Sequence, residues 1–142
     1  MEPAITKVLA IENNASLSDL LKSLLNESGL DLIGEANNAD QALEMLAEYT
    51  PDVIVMDIHL PDRCGLEIIP LVLERVPHAK IILLTDQDDL RYEKAAEEKG
   101  AHVCLRKDLI ATALVMSIKR ALETPFVQNP GDEFLFLMKE KV

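Results

Sequence analysis

Few residues in this chain stand where their side chains can do chemistry together. Glu12, Asp57, Thr85 and Lys107 each lie at the end of a short apolar run. Glu12 and Asp57 offer oxygen donors, and a hard divalent ion such as magnesium commonly uses one or two carboxylates while keeping waters. A cation beside Asp57 would offset the repulsion between that carboxylate and an incoming phosphoryl group, so that the carboxylate can attack phosphorus. The Thr85 hydroxyl would give the phosphoryl oxygens a hydrogen bond, and the Lys107 ammonium a point charge.

Other chemistries lack their residues. The glycines stand at 29, 34, 65, 100 and 131, so neither G-x-G-x-x-G nor G-x-x-x-x-G-K-[ST] is present. No serine, histidine and aspartate set accompanies a nucleophile elbow. A flavodoxin-like enzyme or ligand binder is disfavoured by the missing glycine-rich loop and the lack of core aromatics. Two cysteines, Cys64 and Cys104, make neither a disulfide framework nor a zinc pattern and read as small packing residues. His78 and His102 read as surface residues. The 142 residues hold 14 basic and 25 acidic side chains, a formal charge of −11, which repels phosphates and disfavours nucleic-acid binding by this domain. No signal peptide is read at the start, and the longest nearly apolar stretch, 109–118, is short of the ~20 residues of a membrane span.

The elements that must position the four groups follow from two alternating hydrophobic periods. Short apolar runs at 6–11, 30–36, 53–56, 80–85 and 102–105 read as strands. Between them lie helical spacings. Leu17, Leu20, Leu21, Leu24 and Leu25 share one face, with Ser16 as N-cap and Gly29 as stop. Ala39, Ala42, Leu43, Leu46 and Ala47 follow a capping box at Asn38 and Gln41 and are closed by Pro51. A third helix spans 66–75 with Pro70 inside, predicting a kink or a late start. A polar fourth helix spans 89–99 and ends at Gly100. Asp108 caps a fifth over 109–123. Strands alternating with helices predict a doubly wound α/β fold: a five-stranded parallel sheet of order 2-1-3-4-5, flavodoxin-like, with helices on both faces. In such sheets working groups sit beyond the carboxyl ends of the strands, which gathers the four residues on one rim. The composition changes near Thr124; all three phenylalanines lie beyond it, so 1–123 reads as the domain and 124–142 as a C-terminal linker or appended segment.

The segments VLAIENN, DVIVMDIHLPDRCGLE, IILLTD and GAHVCLRKD resemble, in order and spacing, a response-regulator receiver domain of bacterial two-component signalling. The resemblance covers about residues 5–123, and its Lys107-Asp108 pair is similar to receivers of the NarL/LuxR type. It implies that Asp57 is the phosphoacceptor, Lys107 the partner lysine and Thr85 the switch hydroxyl. It also implies magnesium held by Glu12, Asn13, Asp57 and the backbone carbonyl of His59. The implied phosphodonor is a sensor histidine kinase, the implied setting cytoplasmic, and the implied role transcription regulation through an output domain. The domain would catalyse only its own phosphoryl transfer and dephosphorylation.

Three positions depart from the family pattern. Asn13 replaces the second of two acids after strand one, and its neutral amide oxygen is a weaker ligand for a hard cation, so magnesium binding would be weakened. Asp86 puts a charge where a small residue is usual. Cys104 stands where an aromatic switch is usual. Two readings therefore compete: a receiver switched by phosphorylation on Asp57, and a degenerate receiver acting as a phosphorylation-independent dimerisation or interaction module. The last helix is apolar on more than one side, which predicts an isologous dimer or docking on an output domain.

Overall fold

The computed structural model describes residues 4–123; the segment 124–142, read above as a linker or appended element, lies outside the described residues. Five strands, β1 (Lys7–Ile11), β2 (Asp31–Ala36), β3 (Val53–Asp57), β4 (Lys80–Thr85) and β5 (Val103–Arg106), pair in parallel in the order 2-1-3-4-5. This is the predicted topology. Each strand passes to the next through a helix: α1 (Ala15–Glu27), α2 (Ala39–Met45), α3 (Gly65–Arg75) and α4 (Glu93–Lys99), with α5 (Ile110–Glu123) closing the chain.

The sheet separates two apolar layers, because side chains alternate along every strand. Val8 and Ala10 of β1, and Val53 and Val55 of β3, meet Leu21 and Leu25 of α1 and Leu114 and Ile118 of α5. Leu9 and Ile11, with Ile54 and Met56, meet Ala42 of α2, Ile68, Ile69 and Val72 of α3, and Ala96 of α4. Burial on both faces explains why β3 and β4 read as unbroken apolar runs. β2 stands at the edge and skips Ile33 in its pairing with β1.

Element ends differ from the sequence reading where side chains offer competing bonds. Asn14, not Ser16, caps α1: its Oδ1 accepts from the Leu17 N–H at 3.0 Å. Leu20 of the five leucines is exposed. Asn38 does cap α2 through the Gln41 N–H, while Gln41 Oε1 reaches back to the N–H of Asn37 rather than Asn38. That helix ends at Met45, well before Pro51. Pro70 lies inside α3 on its exposed side without delaying the start at Gly65. The predicted fourth helix is split, with a 3-10 segment over Gln87–Tyr92 preceding α4. Asp108 does not cap α5; its carboxylate binds the Arg106 guanidinium, and a 3-10 turn over Lys107–Leu109 leads into the helix. Cys104 is buried as expected, but Cys64 is exposed.

His102 corrects the surface reading. It is buried, and its Nδ1 accepts the Ile81 N–H at 3.1 Å beside the β4–β5 ladder. Burial first, then the charge of Lys80, lower its pKa to about 4 from 6.5. The unfolded chain takes up a proton that the folded one refuses, so this group's stability contribution is lost as pH falls from 6.5 towards 4. The window corresponds to about 3 kcal/mol. Denaturant unfolding of His102→Leu should show a flatter loss of stability over that window than the parent. At neutral pH the variant should be less stable by about 1–3 kcal/mol, because the Ile81 N–H loses its acceptor.

Candidate functional site

The parallel strands bring four loop-facing groups to one edge of the sheet. Asp57 ends β3, and its side chain is 6% exposed. Its Oδ2 lies 2.9 Å from the Lys107 Nζ, and its Oδ1 accepts the His59 N–H at 2.8 Å. Lys107 follows β5, so the pair joins two strand ends separated by β4. Burial alone would lower the Lys107 pKa, but the hydrogen bond and charge of Asp57, then the charges of Asp86 and Glu12, hold it above its ordinary value. The ammonium therefore stays charged.

Glu12 follows β1 and is 2% exposed. Neither of its carboxylate oxygens has a hydrogen-bond partner. Burial, then the neighbouring Asp57 carboxylate, push its pKa up to about 8, with Lys107 pulling the other way. Two carboxylates thus face one ammonium, an excess of one negative charge in a dry place. A divalent cation would relieve it, and the orphaned oxygens of Glu12 fit such an ion. Thr85, at the end of β4, is also buried with an unpartnered Oγ1. Thr85 and Lys107 line a cleft of about 220 Å³ together with Asp86, Gln87, Arg106 and Asp108. An unpaired hydroxyl and an ammonium at the wall of a small open cleft are suited to an anion. Asn13 stands exposed on the same rim.

The loop after β3 is pinned from several sides. The Gly65 N–H donates to the Ile58 carbonyl at 2.7 Å, and a Cβ on Gly65 would stand 2.6 Å from the Asp57 carbonyl oxygen, so only glycine fits. Asp62 accepts the N–H groups of Ala39 and Asp40 at 2.9 and 3.0 Å, tying the loop to the start of α2. Desolvation would raise the Asp62 pKa, but those N–H bonds outweigh it and hold the carboxylate below its usual range. His59, expected to matter by its backbone carbonyl more than by its ring, reaches the buried Asp89 with Nε2 at 3.0 and 3.1 Å from its two oxygens. Asp89 Oδ2 also accepts the Asp86 N–H at 2.7 Å. Asp89 escaped the sequence reading because it was placed inside a polar helix; an aspartate three residues after another aspartate in a strand-to-helix loop is the signal for such a turn. Asp86, expected to crowd the approach, lies 3.7 Å from the Lys107 Nζ.

Residues 8–119 match the family described as response regulator receiver domain. The chain is 30% identical over 135 residues to the uncharacterized transcriptional regulatory protein YvfU of Bacillus subtilis (strain 168), covering 94% of this chain and 68% of that protein. It is 28% identical over 114 residues to the transcriptional regulatory protein DegU of Brevibacillus brevis, covering 80% of this chain and 48% of the relative, so it spans about half of that protein's length. Among solved structures, a receiver domain protein from Clostridium thermocellum superposes with a TM-score of 0.76 at 28% identity, over 83% of this chain and 94% of that one.

The raised Glu12 pKa has a consequence for stability. Below 4.5 both folded and unfolded states hold the proton; between 4.5 and about 8 the unfolded chain releases it and the folded chain keeps it, so stability falls as pH rises through that window. In the absence of divalent cations, Glu12→Gln should therefore raise the thermal unfolding midpoint at about pH 8 and leave it nearly unchanged at about pH 5. Equal midpoints at both pH values would contradict the burial of an unpaired carboxyl.

Proposed function

The chain belongs to the response-regulator receiver domain family, and on that premise we propose that it accepts a phosphoryl group on Asp57 from a sensor histidine kinase and converts that event into a changed interaction surface. The observation that carries this reading is the Asp57–Lys107 pair at 2.9 Å with the unpaired groups of Glu12 and Thr85 buried beside it. An Asp57 oxygen attacks phosphorus; the new P–O bond forms as the P–N bond to the kinase imidazole breaks, and the electron pair leaves with that nitrogen. Lys107 then moves its charge from a carboxylate oxygen to a phosphoryl oxygen, and Thr85 donates its hydroxyl to another. Glu12, Asp57, the His59 carbonyl and more weakly Asn13 would hold magnesium, which would supply neutralisation of the converging negative oxygens. The acyl phosphate biases a two-state equilibrium through contacts available only to one state. The domain turns over no external metabolite.

On this reading the signal leaves through α5. Its face away from the sheet carries Met116, 61% exposed, beside Val115 and Lys119 along a shallow groove. An isologous dimer or an output domain would cover it. The relatives' description as transcriptional regulatory proteins supports a cytoplasmic regulator whose output lies in a further domain. No helix among the described residues is long and apolar enough to cross a membrane. On this reading 124–142 would be the linker or appended segment leading towards that output.

A second reading, the degenerate receiver, is favoured by two observations on the same rim. Asn13 offers no charge to a cation, and Asp86 lies 3.7 Å from the lysine that a phosphoryl group would need. Incubation with a small acyl phosphate and magnesium, followed by intact-mass analysis, separates the two. We expect a single phosphoryl adduct in the parent, none in Asp57→Asn, and at least about tenfold faster labelling in Asn13→Asp at limiting magnesium. No adduct in the parent at any magnesium concentration, unrescued by Asn13→Asp, would leave the phosphorylation-independent module.

A further inference from the structure

We propose that His59, Asp86 and Asp89 form a second cation site, built for a borderline-soft divalent ion such as zinc or cobalt(II). It adjoins the Glu12–Asp57 rim, with Asp86 reaching both, but uses other ligand atoms and does not rest on the phosphoryl-transfer reading. The three residues bring one imidazole nitrogen and two carboxylates to within 4.8 Å of one another. His59 Nε2 lies 3.0 Å from Asp89 Oδ2 and 3.7 Å from Asp86 Oδ2. Ligands bonded at about 2.0–2.1 Å to one ion stand about 3.0–3.4 Å apart, so His59 and Asp89 are already at ligand spacing and the exposed Asp86 side chain must close in to join them. An imidazole with carboxylates suits zinc and its neighbours better than magnesium, which takes oxygen ligands.

The buried member is what lifts this trio above a chance meeting of surface charges. Asp89 is 3% exposed, and its carboxylate turns to a ring whose side chain is 57% exposed. The Asp86 N–H at 2.7 Å fixes Asp89 Oδ2, the role an outer hydrogen bond plays in orienting a metal ligand. The cation would sit between His59 Nε2 and the Asp89 carboxylate, in place of their direct contact. Asp86 faces two ways: its Oδ1 lies 3.7 Å from the Lys107 Nζ while Oδ2 faces His59. Lys107 is therefore the cation that competes for Asp86, and water completes the ion's coordination. A filled site would staple the loop after β4 to the loop after β3.

The test is titration of the full chain with cobalt(II) in a large excess of magnesium, which occupies the all-oxygen Glu12–Asp57 rim and competes poorly for an imidazole site, followed by visible absorption. We expect d–d bands that saturate at one ion per chain. Affinity should fall at least about tenfold in His59→Gln and in Asp89→Asn. It should hold in Asp57→Asn, Glu12→Gln and Cys64→Ser. Circular dichroism checks each fold, and His59→Gln, at an exposed side chain, decides if Asp89→Asn does not fold. No saturable band in the parent, bands that survive His59→Gln, or bands lost in Asp57→Asn or Cys64→Ser would overturn the site.

Discussion

A single ammonium facing two buried carboxylates governs the rim of this protein. Lys107 is bonded to Asp57 and leaves Glu12 without a partner. In a place screened from water this imbalance cannot be spread into solvent, so it must be met by a proton or by a metal ion. The raised Glu12 pKa is the first of these outcomes. Divalent cation binding, the proposed working state, is the second. The same imbalance keeps Thr85 and Lys107 available to an anion only when something else neutralises the carboxylates.

The scaffold makes this arrangement possible by holding distant parts of the chain in fixed register. β3 pairs with β1 on one side and β4 on the other, so Asp57, Glu12 and Thr85 emerge from adjacent strand ends. Lys107 arrives one strand further out, from β5 beyond β4. Both faces of the sheet are sealed by apolar layers, so the open edge is where charged groups can gather. Loops there are tied by Gly65 against Ile58, Asp62 on α2 and His59 on Asp89. The rim is thus organised before any ligand arrives, which lowers the cost of ordering it on binding.

Much of this was legible in the sequence. Strand order, and the strand ends that present Glu12, Asp57, Thr85 and Lys107, followed from alternating periods because burial on both faces leaves a strong apolar signature. What escaped were bonds made by side chains that leave no periodic trace. Asn14 outcompeted Ser16 as a cap, and Asp108 took Arg106 instead of an N-terminal N–H. Asp89 turned a predicted helical start into a 3-10 segment by accepting the Asp86 N–H. His102 was read as exposed because its neighbours say nothing of the Ile81 N–H, which lies 21 residues away. The His59 ring was passed over for the same reason: its partner Asp89 lies 30 residues off.

Calorimetric titration with magnesium at about pH 7, repeated in buffers of different ionisation enthalpy, tests the charge imbalance most directly. With the Glu12 pKa near 8, that carboxyl is mostly protonated at neutral pH, so binding should release close to one proton per ion, and Glu12→Gln should release about none. Magnesium that binds the parent with no proton release, or that binds Glu12→Gln just as tightly, would contradict the account.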